Sequence, residues 1–149
     1  MKTVILKNAV PKLRAEMSKA ILKKAVEAGA IVIRNHAVIN IGSTFKRVHG
    51  TRGLSRIVFQ EAESSDTKCW YDIGPTVVYG RIQELGGTIK PVRAKMLSWI
   101  DLDTGKRIFA KKVYIPPRPY LRPAVDNNRN EIEEAMKSVL RTAIIGAVD

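Results

Sequence analysis

The chain has 149 residues, 45% of them hydrophobic, enough for a single domain that buries about 70% of its unfolded surface without metal or disulfide staples. A lone cysteine, Cys69, excludes an internal disulfide framework and suits a reducing cytoplasm during synthesis. The formal charge of +12 is lopsided, because residues 1–60 carry 12 Lys/Arg against only Glu16 and Glu27, whereas the remainder carries 14 against 12 acids.

Taken in chain order, the first predicted element is an amphipathic helix opened by Pro11. Leu13, Met17, Ala20, Ile21, Ala25, Ala28 and Val32 recur at three- and four-residue steps, leaving Lys12, Lys19, Lys23 and Glu27 mostly outside. Gly29 costs about 1 kcal/mol against Ala in a helix, so the helix either stops there or runs on through Ile31 to Ala37. Continuation is preferred, and a strand over Ala30–Ile33 is the alternative, since β-branched residues crowd that stretch. Arg34, Asn35 and His36 interrupt the apolar run from Ala28 to Ile41, and the apolar part of residues 1–7 is short, so neither a membrane span nor a signal peptide is expected.

Residues 40–56 place Gly42, Ser43, Gly50, Thr51 and Gly53 among Lys46, Arg47, Arg52 and Arg56, and read as a long loop. These four cations are the candidate contacts to DNA or to an acidic partner. Ile57–Glu63 and Thr67–Ile73 read as an antiparallel pair joined at Ser64-Ser65-Asp66. Pro75 permits a short helix over Val77–Leu85, with Gly86-Gly87 as a left-handed cap. A second hairpin is expected from Met96–Leu102 and Lys106–Ile115, turned by Asp103-Thr104-Gly105. Four prolines within 116–123 then force an extended strap that presents Arg118, Tyr120 and Leu121, with Pro123 at the first position of the last helix. Val125, Ile132, Met136, Val139, Ala143 and Ile144 form the stripe of that helix, with Glu131, Glu133 and Glu134 toward its start and Lys137 and Arg141 toward its end, as the helix dipole favours. The whole reads as one α+β domain over 1–149, a small antiparallel sheet packed by a long N-terminal helix and a C-terminal helix, with a short helix between hairpins.

Catalytic and metal readings find little footing. His36 and His49 are the only histidines, so no cluster has metal-ligand spacing. The Asp101-x-Asp103-x-Gly105 turn has its Gly one position early for a calcium loop, with Lys112 where the closing Glu belongs. Gly105-Lys106 lacks both the upstream Gly and the following Ser/Thr of a phosphate-binding loop. Cys69 has no histidine near it in sequence to activate a thiolate and reads as a small buried residue beside Trp70. The least implausible enzyme is a toxin-like ribonuclease using His49 with Arg47, Arg52 or Arg56. A basic nucleic-acid-binding module is the other competitor, although Trp70 and Trp99 stand apart from the basic segment and supply no stacking platform. No cofactor is expected.

Two segments carry a resemblance. Val78-Tyr79-Gly80-Arg81-Ile82-Gln83-Glu84-Leu85-Gly86-Gly87-Thr88 is followed about thirty residues later by Arg118-Pro119-Tyr120-Leu121-Arg122-Pro123-Ala124 and a terminal helix. In that order they resemble the small neck proteins of tailed bacteriophages, called tail-component, tail-completion or virion-morphogenesis proteins. Their pattern is a long N-terminal helix, a Thr-Gly-x-Leu-Arg-x-Ser-Ile-like stretch, a Tyr-x-x-x-x-Glu-x-Gly segment and an Arg-Pro-Phe/Tyr-Leu-x-Pro-Ala strap before the last helix. Tyr79, Glu84 and Gly86 match the third element and 118–124 the fourth; Thr51–Ile57 matches the second loosely, with its Gly displaced. The resemblance implies a non-enzymatic virion protein, assembled in the host cytoplasm as a homo-oligomeric, sixfold ring at the head–tail joint. It would complete or cap the tail, against neighbouring neck, tail-terminator and tail-tube proteins, with genomic DNA passing through the channel. Tail terminator and head-closure protein are the nearest alternatives. Arg118, Pro119, Tyr120, Leu121, Arg122 and Pro123 are expected to form one subunit patch, and Tyr79, Arg81 and Glu84 another, with Glu84 making either a structural hydrogen bond or an inter-subunit ion pair.

Overall fold

In the computed structural model, which describes residues 6–45, 53–64, 68–101 and 103–145, the chain is organised along one long helix. This is α1, Leu6–Thr44, 39 residues. There follow β1 (Ile57–Ser64), β2 (Cys69–Pro75), α2 (Gly80–Leu85), β3 (Gly87–Ile89), β4 (Leu97–Ile100), β5 (Arg107–Ala110), β6 (Val113–Ile115), α3 (Leu121–Asp126) and α4 (Arg129–Ile145). The α+β class is as expected, but the strands form three separate two-stranded antiparallel ladders, β1–β2, β3–β6 and β4–β5, rather than one sheet. The β1–β2 hairpin, α3 and α4 all pack on α1.

Helix α1 departs from expectation at both ends. It begins at Leu6, so Pro11 lies inside it and not at its start. The ring fixes φ near −65°, which a helix accepts, at the expense of one backbone hydrogen bond. At the other end residues 40–44, expected in a loop, are helical. Ile41 and Phe45 are 5% exposed and pack against Tyr120, and the Asn40 side-chain amide donates to the Tyr120 carbonyl at 2.9 Å. A partner eighty residues away thus extends the helix, and that contact is invisible to local propensity. Of the rest of the loop expected over 40–56, residues 53–55 form a turn before β1, while 46–52 lie outside the described residues, Lys46, Arg47, His49 and Arg52 among them.

The strand alternative over Ala30–Ile33 is not adopted, because tertiary packing overrides β-branched preference. The buried stripe, Ala25, Gly29, Ala30, Ala37 and Ile41, lies partly off the expected one, and Ala20 is exposed. Small residues are placed where α4 crosses: a Cβ on Gly29 would stand 3.1 Å from Met136 Cγ and 3.3 Å from Ile132 Cγ2. Gly29 is therefore a point of close helix approach and not a helix end. Polar pairs hold α1 to two of its neighbours from outside: His36 Nε2 lies 2.8 Å from Glu131 Oε2 of α4, and Lys23 pairs with Glu61 of β1.

The first hairpin forms as expected, pairing Ile57 with Pro75 and Phe59 with Ile73, but Ser64, expected in the turn, is the last residue of β1 opposite Cys69, while 65–66 lie outside the described residues. Arg34 of α1 stacks over Phe59, which lies against Tyr71 across the ladder, so one cation–π contact ties this hairpin to α1. The second hairpin is shorter than expected. Its return strand ends at Ala110, and Val113–Ile115 turns away to pair with β3. Lys111 and Lys112 mark the break. The last helix is likewise divided, by Asn127 and Asn128, and Pro123 is the third rather than the first residue of α3, still within the turn where its missing N–H costs nothing. The strap expected to run extended over 116–123 therefore ends at Tyr120, and its last three residues are helical. Glu131 falls in the first turn of α4, and Lys137 bonds Glu133 and Glu134.

Candidate functional site

The two motif segments meet, and the meeting is built from backbone outward. Strand pairing of Gly87 with Ile115 sets the end of α2 beside the start of the strap. Gly86, at φ +69°, makes the turn between them; a Cβ there would stand 2.7 Å from Pro117 N and 2.9 Å from the Ile115 carbonyl oxygen. The expected left-handed cap is therefore replaced: ψ is −179°, and the chain leaves α2 directly into β3. Helix α2 also starts at Gly80 rather than Val77, since 76–79 form the bend and turn that lead into it.

Glu84 closes the site. Its Oε2 accepts the backbone N–H groups of Tyr120 at 2.7 Å and Leu121 at 3.0 Å, and its Oε1 accepts that of Arg122 at 2.9 Å. A carboxylate with both oxygens engaged by the first turn of α3 satisfies donors that no helical carbonyl can reach, and sits at the favourable end of the helix dipole. One residue earlier, the Arg118 N–H donates to the Gln83 carbonyl at 2.8 Å. The strap is thus hydrogen-bonded to two successive residues of α2.

Tyr120 is the plug of this clamp. It is 1% exposed, its hydroxyl donates to the Gly80 carbonyl at 3.3 Å, and its ring meets Phe45 edge-on with centroids 6.2 Å apart. Burial, reinforced by the nearby Glu84 carboxylate, pushes its phenol up to about 12. Gly80 makes room for it: an added Cβ would lie 2.1 Å from Pro75 Cγ and 3.2 Å from the Tyr120 hydroxyl.

The expectation that Tyr120 is a presented group is therefore corrected, because its side chain is a central part of the core. Glu84 makes the structural hydrogen bonds, and does so within its own chain. Tyr79 packs on the same core, and the Arg118 guanidinium lies 5.9 Å above the Phe45 ring. Leu121 and Pro123 are half-buried, while Arg81, Pro119 and Arg122 remain exposed. Of the candidate cationic contacts, Arg56 alone falls among the described residues, exposed just before β1.

Two clefts flank Glu84, of about 330 and 420 Å³, and share Glu84, Leu85 and Leu121 as a common wall. Val78, 99% exposed, borders the first, and Val125 borders the second. These apolar positions were missed in the sequence, although Val78 and Leu85 stand within the motif itself. Among the described residues no group of three or more His, Cys, Asp or Glu could hold a metal ion, and no helix is long and apolar enough to cross a membrane. With three backbone donors on its carboxylate and its phenol raised well above the usual range, the arrangement leaves shape and apolar surface as what the two clefts offer. Comparison with known proteins gives no family model, no curated protein and no solved structure that matches this chain.

Proposed function

We propose that this chain is a structural protein of a tailed-phage neck, which closes into a ring at the head–tail joint and completes or caps the tail. The observation that carries the reading is the apolar surface that the described residues leave open. Helix α4 has no buried residue, and Trp99, Ile100, Phe109, Ile144 and Ile145 are all 40% exposed or more. A chain with this profile gains much of its stability from neighbours, as a ring component does. The motif segments that carry the resemblance support the same reading: they converge on one clamp and tie the strap to α2 with three charge-assisted bonds. In the ring the basic N-terminal third would face either the DNA in the channel or an acidic face of a neighbouring ring.

The test is the mass of the purified protein by multi-angle light scattering, alone and mixed with tail tubes, at low and at physiological salt. A ring-sized species, or a monomer that joins tube ends, is the expected result. A persistent monomer that ignores tubes and shifts only with nucleic acid would overturn the reading in favour of a basic binding module.

A further inference from the structure

The near-balanced charge of residues 61–149 conceals a concentrated basic block. Residues 87–115 carry seven Lys/Arg against Asp101 and Asp103, which leaves 7 against 10 acids for the rest of 61–149. The topology gathers most of that charge in one place. The β3–β6 ladder ends at the pair Ile89–Val113, and the β4–β5 ladder at the pair Leu97–Ala110. Both connections between them, 90–96 and 111–112, bridge the same two ladder ends, so they run side by side and bring together Lys90, Arg93, Lys95, Lys111 and Lys112. All five are exposed, and none forms an ion pair among the described residues. Like charges held this close without an acid repel one another and draw in anions. From this junction the β4–β5 ribbon runs outward. Cross-strand pairing puts Ser98, Ile100, Arg107 and Phe109 on one of its faces, and all four are exposed. Phe109, 60% exposed, thus stands between the junction and Arg107, about 7 Å along the strand from the latter.

We infer that the junction of the two ladders binds single-stranded nucleic acid without regard to sequence. Lys90, Lys95, Lys111 and Lys112 neutralise backbone phosphates, and the open face of the ribbon stacks a base on Phe109 beside Arg107. An exposed aromatic ring between two sources of positive charge is what such strands require, since phosphates take the cations and any base can lie on the ring. The charge distribution disfavours an anionic lipid surface. Asp101 and Asp103 occupy the ribbon tip, next to Ile100, so a ribbon that inserted its apolar face would drive two carboxylates against the headgroups. A strand lying across the base of the ribbon avoids them. The site is distinct from the basic N-terminal third, and the inference does not rest on the neck reading.

Fluorescence anisotropy of a labelled oligothymidylate over a salt series tests this. Wild type should bind with a steep salt dependence. Replacing Lys90, Lys95, Lys111 and Lys112 together by Gln should weaken binding at least about tenfold and lower the slope of log affinity against log salt by about 3, because each phosphate contact on a single strand contributes about 0.7. Phe109→Ala should weaken binding about tenfold with the slope unchanged, as loss of one stacked base requires. Lys24→Gln with Arg56→Gln removes two exposed cations elsewhere and should alter affinity less than about twofold. Should the fourfold variant lose the wild-type circular dichroism, the pairs Lys90/Lys112 and Lys95/Lys111 carry the test, each with half the drop in slope. A wild type that does not bind, a fourfold variant or Phe109→Ala that binds as wild type does, or a Lys24/Arg56 variant that loses as much as the fourfold one would each overturn the inference. So would polyglutamate, phosphatidylserine vesicles or a duplex of equal length competing better than unlabelled oligothymidylate. Failure of the neck reading is separable: if wild type ignores tail tubes but the oligonucleotide results hold, the nucleic-acid surface stands and the phage setting falls. If wild type joins tube ends and ignores the oligonucleotide, the surface falls and the neck reading stands.

Discussion

The clamp around Glu84 and the β4–β5 ribbon are both held by regular backbone hydrogen bonds, but they treat side chains in opposite ways. In the clamp, the motif residues turn inward: Tyr120 is buried, Glu84 is saturated by three backbone donors, and Gly80 is packed against Pro75. In the ribbon, large apolar side chains face solvent and the motif segments contribute nothing. The contrast teaches that the densest motif in this sequence marks an internal lock, while the ribbon, whose sequence carries no motif, leaves large apolar side chains open to solvent. A Pro-rich strap looks like something to be presented outward; here its prolines stiffen the approach to a tyrosine that is swallowed by its own chain.

The sharpest way to break the comparison is Glu84→Ala. It strands three N–H groups at the start of α3 and should lower stability by about 3 kcal/mol, read as a shifted urea midpoint at unchanged slope. A loss below about 1 kcal/mol would mean that water replaces the carboxylate and that the clamp does not hold the strap. Gly80→Ala should follow at about 2 kcal/mol, because the new methyl meets a proline ring that cannot rotate away.

Tyr120→Phe sharpens the same point more gently. At neutral pH it should cost about 1 kcal/mol for the bond to the Gly80 carbonyl. In alkali its effect has a definite sign. The folded phenol is raised from 10.0 to about 12, so the protonated form is favoured by folding, and this contribution is complete below pH 10 and lost as pH rises toward 12. Wild type should therefore lose stability more steeply than Tyr120→Phe across that window, in paired denaturation curves. Parallel curves would mean that the hydroxyl is open to water. Smallest of all, Phe109→Glu should change the stability of the monomer by less than about 1 kcal/mol, since the side chain is 60% exposed. A large loss, measured in the same urea series, would make the ribbon part of the core and erase the distinction between the two regions.

Much of the fold was legible because it depends on local pattern. The long amphipathic helix, the Ile57–Ile73 hairpin, the Asp103–Gly105 turn and the charge-graded last helix follow from periodicity and turn chemistry. Errors fell where a distant partner decided the outcome. The last turns of α1 form because Ile41 and Phe45 pack against Tyr120, and the second hairpin is cut short because Val113–Ile115 pairs with Gly87–Ile89. The candidate site was legible as a list of residues and not as an arrangement. Spacing singles out Glu84 and the strap and allows Glu84 a structural hydrogen bond. That Tyr120 points inward, and that Val78, Leu85 and Val125 form an open wall, could not be read from spacing.

By itself the sequence determined the α+β class, the basic N-terminal third, the single-cysteine chemistry and the two segments that matter, because composition and short-range periodicity fix which stretches become helix, strand and turn. Only the tertiary structure decided which way those segments face. Six helical residues and a rigid strap can present their side chains to solvent or to each other at nearly the same local energy. The choice is made by burial of Tyr120 and by three backbone donors that find a carboxylate, contacts spanning 36 to 38 residues of chain.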